Sequence, residues 1–327
     1  MLYVGNVVYP GFDMMTVSAL SVFEYVNVHL EALHYDVRLV SETGGPVRSS
    51  LGIIVQTEAF GITPLDTVII GGNSDMPFTP GLLSYLQRAS VECRRIAAKC
   101  AGAFFLAETG LLDGRRATTH WFFADDFRSR YPLVRLEENR LFVIDGPFWT
   151  SAGMTANIDL VLAMVEKDLG LHVANAVSRN LVLSNRRHGG QPQISALLDL
   201  GPTSDRIQTA LSFARANLHL PLTIEQLANA ANLSPRQFSR AFREETGTSP
   251  AKAVEKLRIE AAQLLVQDGR HPIEVVARQT GFGESERMRR AFLRAFGRPP
   301  QAIRRDARLA ADRSDDKAMR ILIEENA

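Results

Sequence analysis

The chain has 327 residues, 46% of them hydrophobic, and a formal net charge of +1, which suits two globular domains. It contains no run of eighteen apolar residues and no basic-then-apolar leader, so a soluble cytoplasmic protein with no membrane partner is expected. Two cysteines, Cys93 and Cys100, make no disulfide framework and fit no metal-ligand spacing with His120, so no metal is expected.

Taken from its start, the chain alternates strand-like and helix-like runs up to about residue 170. Residues 2–8 read as an apolar strand, 16–29 as an amphipathic helix, 35–40 and 67–70 as strands, 80–94 as a helix and 96–98 as a short strand. This alternation predicts a doubly wound, mostly parallel α/β sheet covered on both faces, with ligands bound beyond the carboxyl ends of its strands. Two such ends stand out. At Ile70-Gly71-Gly72-Asn73 the glycines would let backbone amides approach a bound group, although a dinucleotide fingerprint is lacking and no cofactor is expected. At Lys99-Cys100-Ala101-Gly102-Ala103 a cysteine lies between a strand and a helix over 104–110. That is the geometry of a nucleophile elbow, and the helix N-terminus would favour a thiolate.

Residues 186–204 are rich in Gly, Pro and Gln and read as a linker between a domain over 1–185 and an all-α domain over 205–308. The last segment, 309–327, is a charged tail. The charge is uneven: residues 203–309 hold 18 Lys/Arg against 11 Asp/Glu, whereas residues 1–202 hold 16 against 20. A basic part beside a mildly acidic one suits binding of a phosphate backbone by the basic part alone.

Two helix-turn-helix patterns occupy 223–248 and 272–305. Thr223 with Gln226 forms a capping-box pattern, and Ile224, Leu227, Ala228 and Ala231 recur at helical spacing toward a core. Ser234-Pro235 starts a second helix that buries Phe238, Ala241 and Phe242 and presents Arg236, Gln237, Ser239, Arg240 and Arg243. The scheme then repeats. Pro272 opens the second unit, Gly281 supplies the turn, Met288, Ala291 and Phe292 pack, and Ser285, Glu286, Arg287, Arg289 and Arg290 point outward. A helix over 250–267, burying Val254, Leu257, Ala261, Leu264 and Leu265, joins the units.

The stretch GFGESERMRRAFLRAFGRPPQAIRR resembles the end signature of AraC/XylS-type transcription regulators, with its Gly-Phe turn, recognition helix, Phe-Gly, Pro and Arg. The resemblance implies that the two recognition helices enter successive major grooves of double-stranded DNA. It places Arg236, Ser239 and Arg240, and then Ser285, Glu286, Arg287, Arg289 and Arg290, at base- or backbone-contacting positions.

The segments around Gly71-Gly72 and Cys100, with 110–121 and 150–160, resemble the ThiJ/PfpI superfamily, relatives of class I glutamine amidotransferases with a flavodoxin-like sheet. With RRHGGQPQ and the AraC-type part after it, the order is similar to the GlxA group of bacterial regulators. That resemblance implies a sensing and dimerising first domain, a small-molecule effector and a homodimer whose apolar helix over 154–165 suits the interface. An activator would also have RNA polymerase as a partner, at the nucleoid. The ligand pocket is expected around Thr16, Gly71, Gly72, Asn73, Cys100, Ala101 and His120.

Catalysis by Cys100 would need a base, and the superfamily's patterns are incomplete here. Ala101 stands where its proteases carry His, and Thr16 where isonitrile-hydrating members carry Asp. His120 reads as a structural or ligand-contacting residue, so the chain is expected not to be an enzyme. Two rivals remain: a cysteine-dependent hydrolase or hydratase of small amides or isonitriles, and a Cys100 redox sensor.

Overall fold

The computed structural model describes residues 1–73, 76–183 and 186–305, and the tail expected over 309–327 lies outside them. The chain divides into two compact units, Met1–Gln193 and Ile194–Ala327.

Among its described residues the first unit has ten strands: β1 (Leu2–Val7), β2 (Tyr35–Ser41), β3 (Gly45–Arg48), β4 (Ile54–Ala59), β5 (Thr67–Gly72), β6 (Arg95–Cys100), β7 (Arg116–Ala117), β8 (Arg135–Leu136), β9 (Phe142–Asp145) and β10 (Phe148–Ser151). Eight form one sheet in the order β3-β4-β2-β1-β5-β6-β10-β9, and β7 pairs with β8. Every pairing from β4 across to β10 is parallel, and the two edge strands, β3 and β9, pair antiparallel.

Alternation along the central strands feeds two cores. Val68, Ile70, Ile96 and Ala98 join one core with Leu82, Tyr85 and Leu86 of the helix Pro80–Glu92 and with Phe104 and Phe105. Val4, Ile69, Ala97 and Trp149 join the other with Val22, Phe23 and Val26 and with Leu160, Val161 and Val165. Strands buried on both faces read as continuous apolar runs, and each such Val or Ile contributes about 1.5–3 kcal/mol.

Several elements differ from the sequence reading. The helix over 16–29 is two helices, Met15–Ser18 and Ser21–Leu30. The helix expected to end at Val165 runs over Ala156–Asn180, with a kink where Gly170 takes φ +84°. Strands β3, β4, β9 and β10 carry polar residues within only four to six positions, which is too short and mixed a pattern to read. Residues 186–204 are not a free linker. Arg187 pairs with Asp159 of the first unit, and the helix Ala196–Leu200 buries Leu200 in the core of the second.

Among its described residues the second unit is all helical: Ala196–Leu200, Asp205–Ala216, Ile224–Ala230, Pro235–Thr246, Pro250–Asp268, Ile273–Gln279 and Ser285–Phe296. It has two small cores sharing one helix. Ala253, Val254 and Leu257 pack with Leu227, Ala228, Ala231, Phe238 and Phe242, whereas Ala262 and Val266 pack with Ile273, Val276, Ala277, Met288, Ala291 and Phe292. Ala261, Leu264 and Leu265 are only half-buried, because Ala262 and Val266 take the inward register. Ile224 is 37% exposed, lying at the first position of its helix and outside that core.

Candidate functional site

Strand β6 delivers Cys100 to the top of the sheet at φ +55°. A left-handed backbone costs a non-glycine residue about 1–2 kcal/mol, and here it turns the chain from strand into helix. The glycines around it are required by space. A Cβ on Gly72 would come within 2.5 Å of the Ala101–Gly102 peptide, one on Gly71 within 2.5 Å of Thr16 Oγ1, and one on Gly153 within 2.5 Å of Cys100 Cβ. The room left by Gly71 and Gly72 is thus closely lined by neighbouring protein atoms.

Beneath the elbow lies a buried amine. Lys99 is 1% exposed, and its Nζ donates to Asn6 Oδ1 at 3.2 Å and to the Thr16 carbonyl. Burial lowers the pKa of Lys99 to about 7. Thr16, itself buried, therefore belongs to the floor of the site. Asn73 Nδ2 donates to the Gly11 carbonyl at 3.0 Å, and Tyr9 Oη to the Gly71 carbonyl at 3.2 Å. On the other side, Thr119 Oγ1 donates to the Cys100 carbonyl at 2.9 Å. His120 caps the short turn Trp121–Phe123, accepting the Phe122 amide on Nδ1 at 3.2 Å, and burial lowers its pKa. Among the described residues, no hydrogen bond joins His120 to Cys100.

At Cys100 burial and the start of a helix act on the thiol in opposite directions. Burial pushes the thiol up to about 11, the Ala101 amide opposes this only in part, and Asp13 adds to the rise. A pKa four units above neutral leaves a thiolate fraction on the order of 10⁻⁴. Burial thus raises the thiol although the helix Ala103–Glu108 follows it and the residue is partly exposed. Cys93 is raised to about 11 as well, by burial and then by Glu92.

The second unit carries a contrasting surface. Along Pro235–Thr246, Arg236, Gln237, Arg240 and Arg243 are exposed and Ser239 is half-buried; along Ser285–Phe296, Glu286, Arg287, Arg289 and Arg290 are exposed and Ser285 is half-buried. Some of these groups are already engaged. Gln237 Oε1 accepts the Ser234 amide at 3.2 Å within a capping box, and Ser239 Oγ bonds to the Pro235 carbonyl at 2.7 Å. Arg240 pairs with Glu244 at 2.9 Å and Arg289 with Glu286 at 3.2 Å. Among the described residues, Arg236, Arg243, Arg287 and Arg290 make no ion pair. A groove of about 470 Å³ lies over Arg236, Ser239, Arg240, Arg243 and Glu244.

Sequence reasoning missed the buried amine of Lys99, the packing role of Gly153 and the position of Gln193, whose side chain reaches Thr119 and Trp121. All three lie in stretches rich in small or polar residues, and only the tertiary contacts give them meaning.

A doubly wound domain with a strand–cysteine–helix elbow, followed by tandem helix-turn-helix units, defines a class of DNA-binding regulator. The comparisons agree. A helix-turn-helix domain model matches residues 227–306, and a DJ-1/PfpI family model matches residues 14–167. The HTH-type transcriptional regulator CdhR of Pseudomonas aeruginosa is 30% identical over 90% of this chain and 89% of its own length. The HTH-type transcriptional regulator GlxA of Rhizobium meliloti is 30% identical over 83% of this chain and 85% of its own. An isonitrile hydratase of Pseudomonas putida is 31% identical, over 44% of this chain and 64% of its own. In fold, 55% of this chain is similar to the whole of the crystal structure of an AraC family transcriptional regulator from Pseudomonas putida, with a TM-score of 0.51 and 22% identity. The chain belongs to the AraC-type, helix-turn-helix transcriptional regulators that carry a DJ-1/PfpI-like first domain, the GlxA group.

Proposed function

We propose that this regulator reads its operator with Arg236, Gln237, Ser239, Arg240 and Arg243 in one major groove and Ser285, Glu286, Arg287, Arg289 and Arg290 in the next. A small molecule held near Thr16, Gly71, Gly72, Asn73, Cys100, Ala101 and His120 sets how the helices of a homodimer are presented, by favouring one arrangement over another. In this reading residues 1–193 sense and dimerise, residues 194–305 bind DNA in the cytoplasm, and the regulator acts as an activator, with RNA polymerase as its partner in that case.

The observation that carries the DNA half is the pair of recognition helices, each with exposed arginines that make no ion pair among the described residues. In vitro selection of genomic fragments by the full-length protein, at near-physiological salt, tests it. Recovery of fragments sharing two half-elements about one helical turn apart is expected. Random fragments released as salt rises would mean phosphate attraction alone and would overturn the reading.

In this reading Cys100 is a pocket residue whose thiol burial holds protonated, rather than a nucleophile or a peroxide sensor. Iodoacetamide at neutral pH should modify Cys100 no faster than Cys93, since both thiols are raised to about 11. A large excess of Cys100 labelling would revive the hydratase and redox readings.

A further inference from the structure

Residues 186–193 form a strap that closes the first unit and ends where the chain passes to the second. The Arg187 amide donates to Asp159 Oδ1 at 2.9 Å, and its Nη2 reaches Thr155 Oγ1 at 3.0 Å, so one end of the strap is tied to the first turn of Ala156–Asn180. Its middle runs along 140–142. Arg140 Nη1 donates to the Gly190 carbonyl at 2.8 Å, the Leu141 amide to the Gln191 carbonyl at 3.0 Å, and a Cβ on Gly189 would meet the Phe142 carbonyl at 2.4 Å.

The other end is Gln193. Its Nε2 lies 2.7 Å from both the Thr119 and the Glu138 carbonyl oxygens, and its Oε1 accepts the Trp121 amide at 2.8 Å. Both donor hydrogens and the acceptor of this one side chain are therefore spent on the neighbouring loops. Both anchors border the elbow. Thr119 holds the Cys100 carbonyl through Oγ1, and Gly153, two residues before Thr155, lies against Cys100.

We propose that Gln193 is a positioning residue: a latch that ties the loop Thr118–Trp121, one wall of the Cys100 elbow, to the point where the chain leaves the first unit. This rests on the reading that the elbow holds a small effector. A ligand that displaces the Thr118–Trp121 loop cannot leave Gln193 in place without breaking its hydrogen bonds, so the exit of the chain moves with the wall of the pocket. The loop has two arrangements, latched and released, and the effector biases one of them.

A double-mutant cycle on the full-length protein tests the latch without any effector. Thr119→Val removes the hydroxyl that holds the Cys100 carbonyl and keeps the side-chain shape, and Gln193→Met removes the latch at similar length. Amide exchange of a peptide spanning 188–196 and affinity for a fragment selected by the wild type are measured for all four chains. Thr119→Val should raise exchange and shift affinity by about five-fold or more with Gln193 present, and do neither with Met at that position. Equal effects of Thr119→Val in both backgrounds, or none in either, would overturn the latch. If melting shows that Gln193→Met fails to fold, Gln193→Glu takes its place, keeping an acceptor for Trp121 and losing both donors. Failure of the cycle removes the latch alone, because the sensor reading has its own test in a compound that shifts the operator affinity of the wild type.

Discussion

In the first helix-turn-helix unit the turn is Asn232 at φ +53°, and the recognition helix starts at a capping box made by Ser234 and Gln237. In the second the turn is Gly281 at φ +76°, and the recognition helix starts at Glu284 with no side-chain cap. The same motif is thus fixed by local bonding in one unit and by tertiary packing in the other. At Gly281 a Cβ would lie 1.8 Å from the Leu218 carbonyl oxygen and 2.7 Å from Arg258 Nε. Arg258 comes from the shared helix Pro250–Asp268, where its Nε donates to the Leu218 carbonyl at 3.2 Å and its Nη2 to the Leu220 carbonyl at 2.8 Å. The second turn is therefore seated on the stretch just after the helix Asp205–Ala216, ahead of the first unit, and the guanidinium fills the seam. Two such units keep a fixed spacing because their turn and shared helix cannot slide.

The largest effect should come from breaking that seat. Gly281→Ala adds a methyl where a backbone oxygen already stands, and it also forces a left-handed conformation on alanine. Overpacking of about 1–3 kcal/mol and a left-handed penalty of about 1–2 kcal/mol together predict a loss of roughly 3 kcal/mol, read as faster amide exchange over 273–296. Asn232→Ala has only the backbone term to lose, about 1 kcal/mol, and Asn232→Gly should be close to neutral. Equal losses for Gly281→Ala and Asn232→Ala would mean that the seat at Leu218 carries no weight.

Next comes DNA affinity. Arg290 makes no ion pair among the described residues, whereas Arg240 is engaged by Glu244 at 2.9 Å and must release it to reach DNA. Each arginine, if it reads a base, is worth roughly ten- to a hundred-fold in affinity, with relaxed preference at one position. Arg290→Ala should therefore weaken operator binding more than Arg240→Ala does, and Glu244→Gln should tighten it by a few-fold. Titration of the selected fragment at fixed salt checks the order. Unchanged affinity and specificity in both arginine variants would sink the assignment of the two faces.

The same contrast explains what was legible in the sequence. Helix starts at Thr223 and Ser234, the buried stripe of Phe238 and Phe242, and its repeat in Met288 and Phe292 are written within a few residues of each other. Periodicity and capping chemistry reach that far. The elbow at Cys100 was legible as a strand-to-helix turn, yet its chemistry was not. The state of the thiol depends on burial beneath residues from distant segments, including Gly153, 53 positions away by number. The strap over 186–193 reads as a linker because Gly, Pro and Gln lack periodicity. What fixes it is the pairing of Arg187 with Asp159 and of Gln193 with Thr119, and neither spacing leaves a trace in a single chain.

The smallest effect concerns how each recognition helix begins. Ser234 Oγ accepts the Gln237 amide at 3.4 Å and Gln237 Oε1 accepts the Ser234 amide at 3.2 Å, so two otherwise orphaned donors are satisfied. Ser234→Ala should cost about 1 kcal/mol in the first unit. Glu284 occupies the equivalent place in the second unit, where its charge suits the positive end of the helix while its side chain makes no cap bond. Glu284→Asp keeps that charge and shortens the side chain to one that can accept an amide two or three residues on. The gain should be about 0.5–1 kcal/mol, read as slower exchange over 285–290. A loss on Glu284→Asp would show that the longer side chain does something at this helix start that capping does not supply, and the division between local and tertiary control would have to be redrawn.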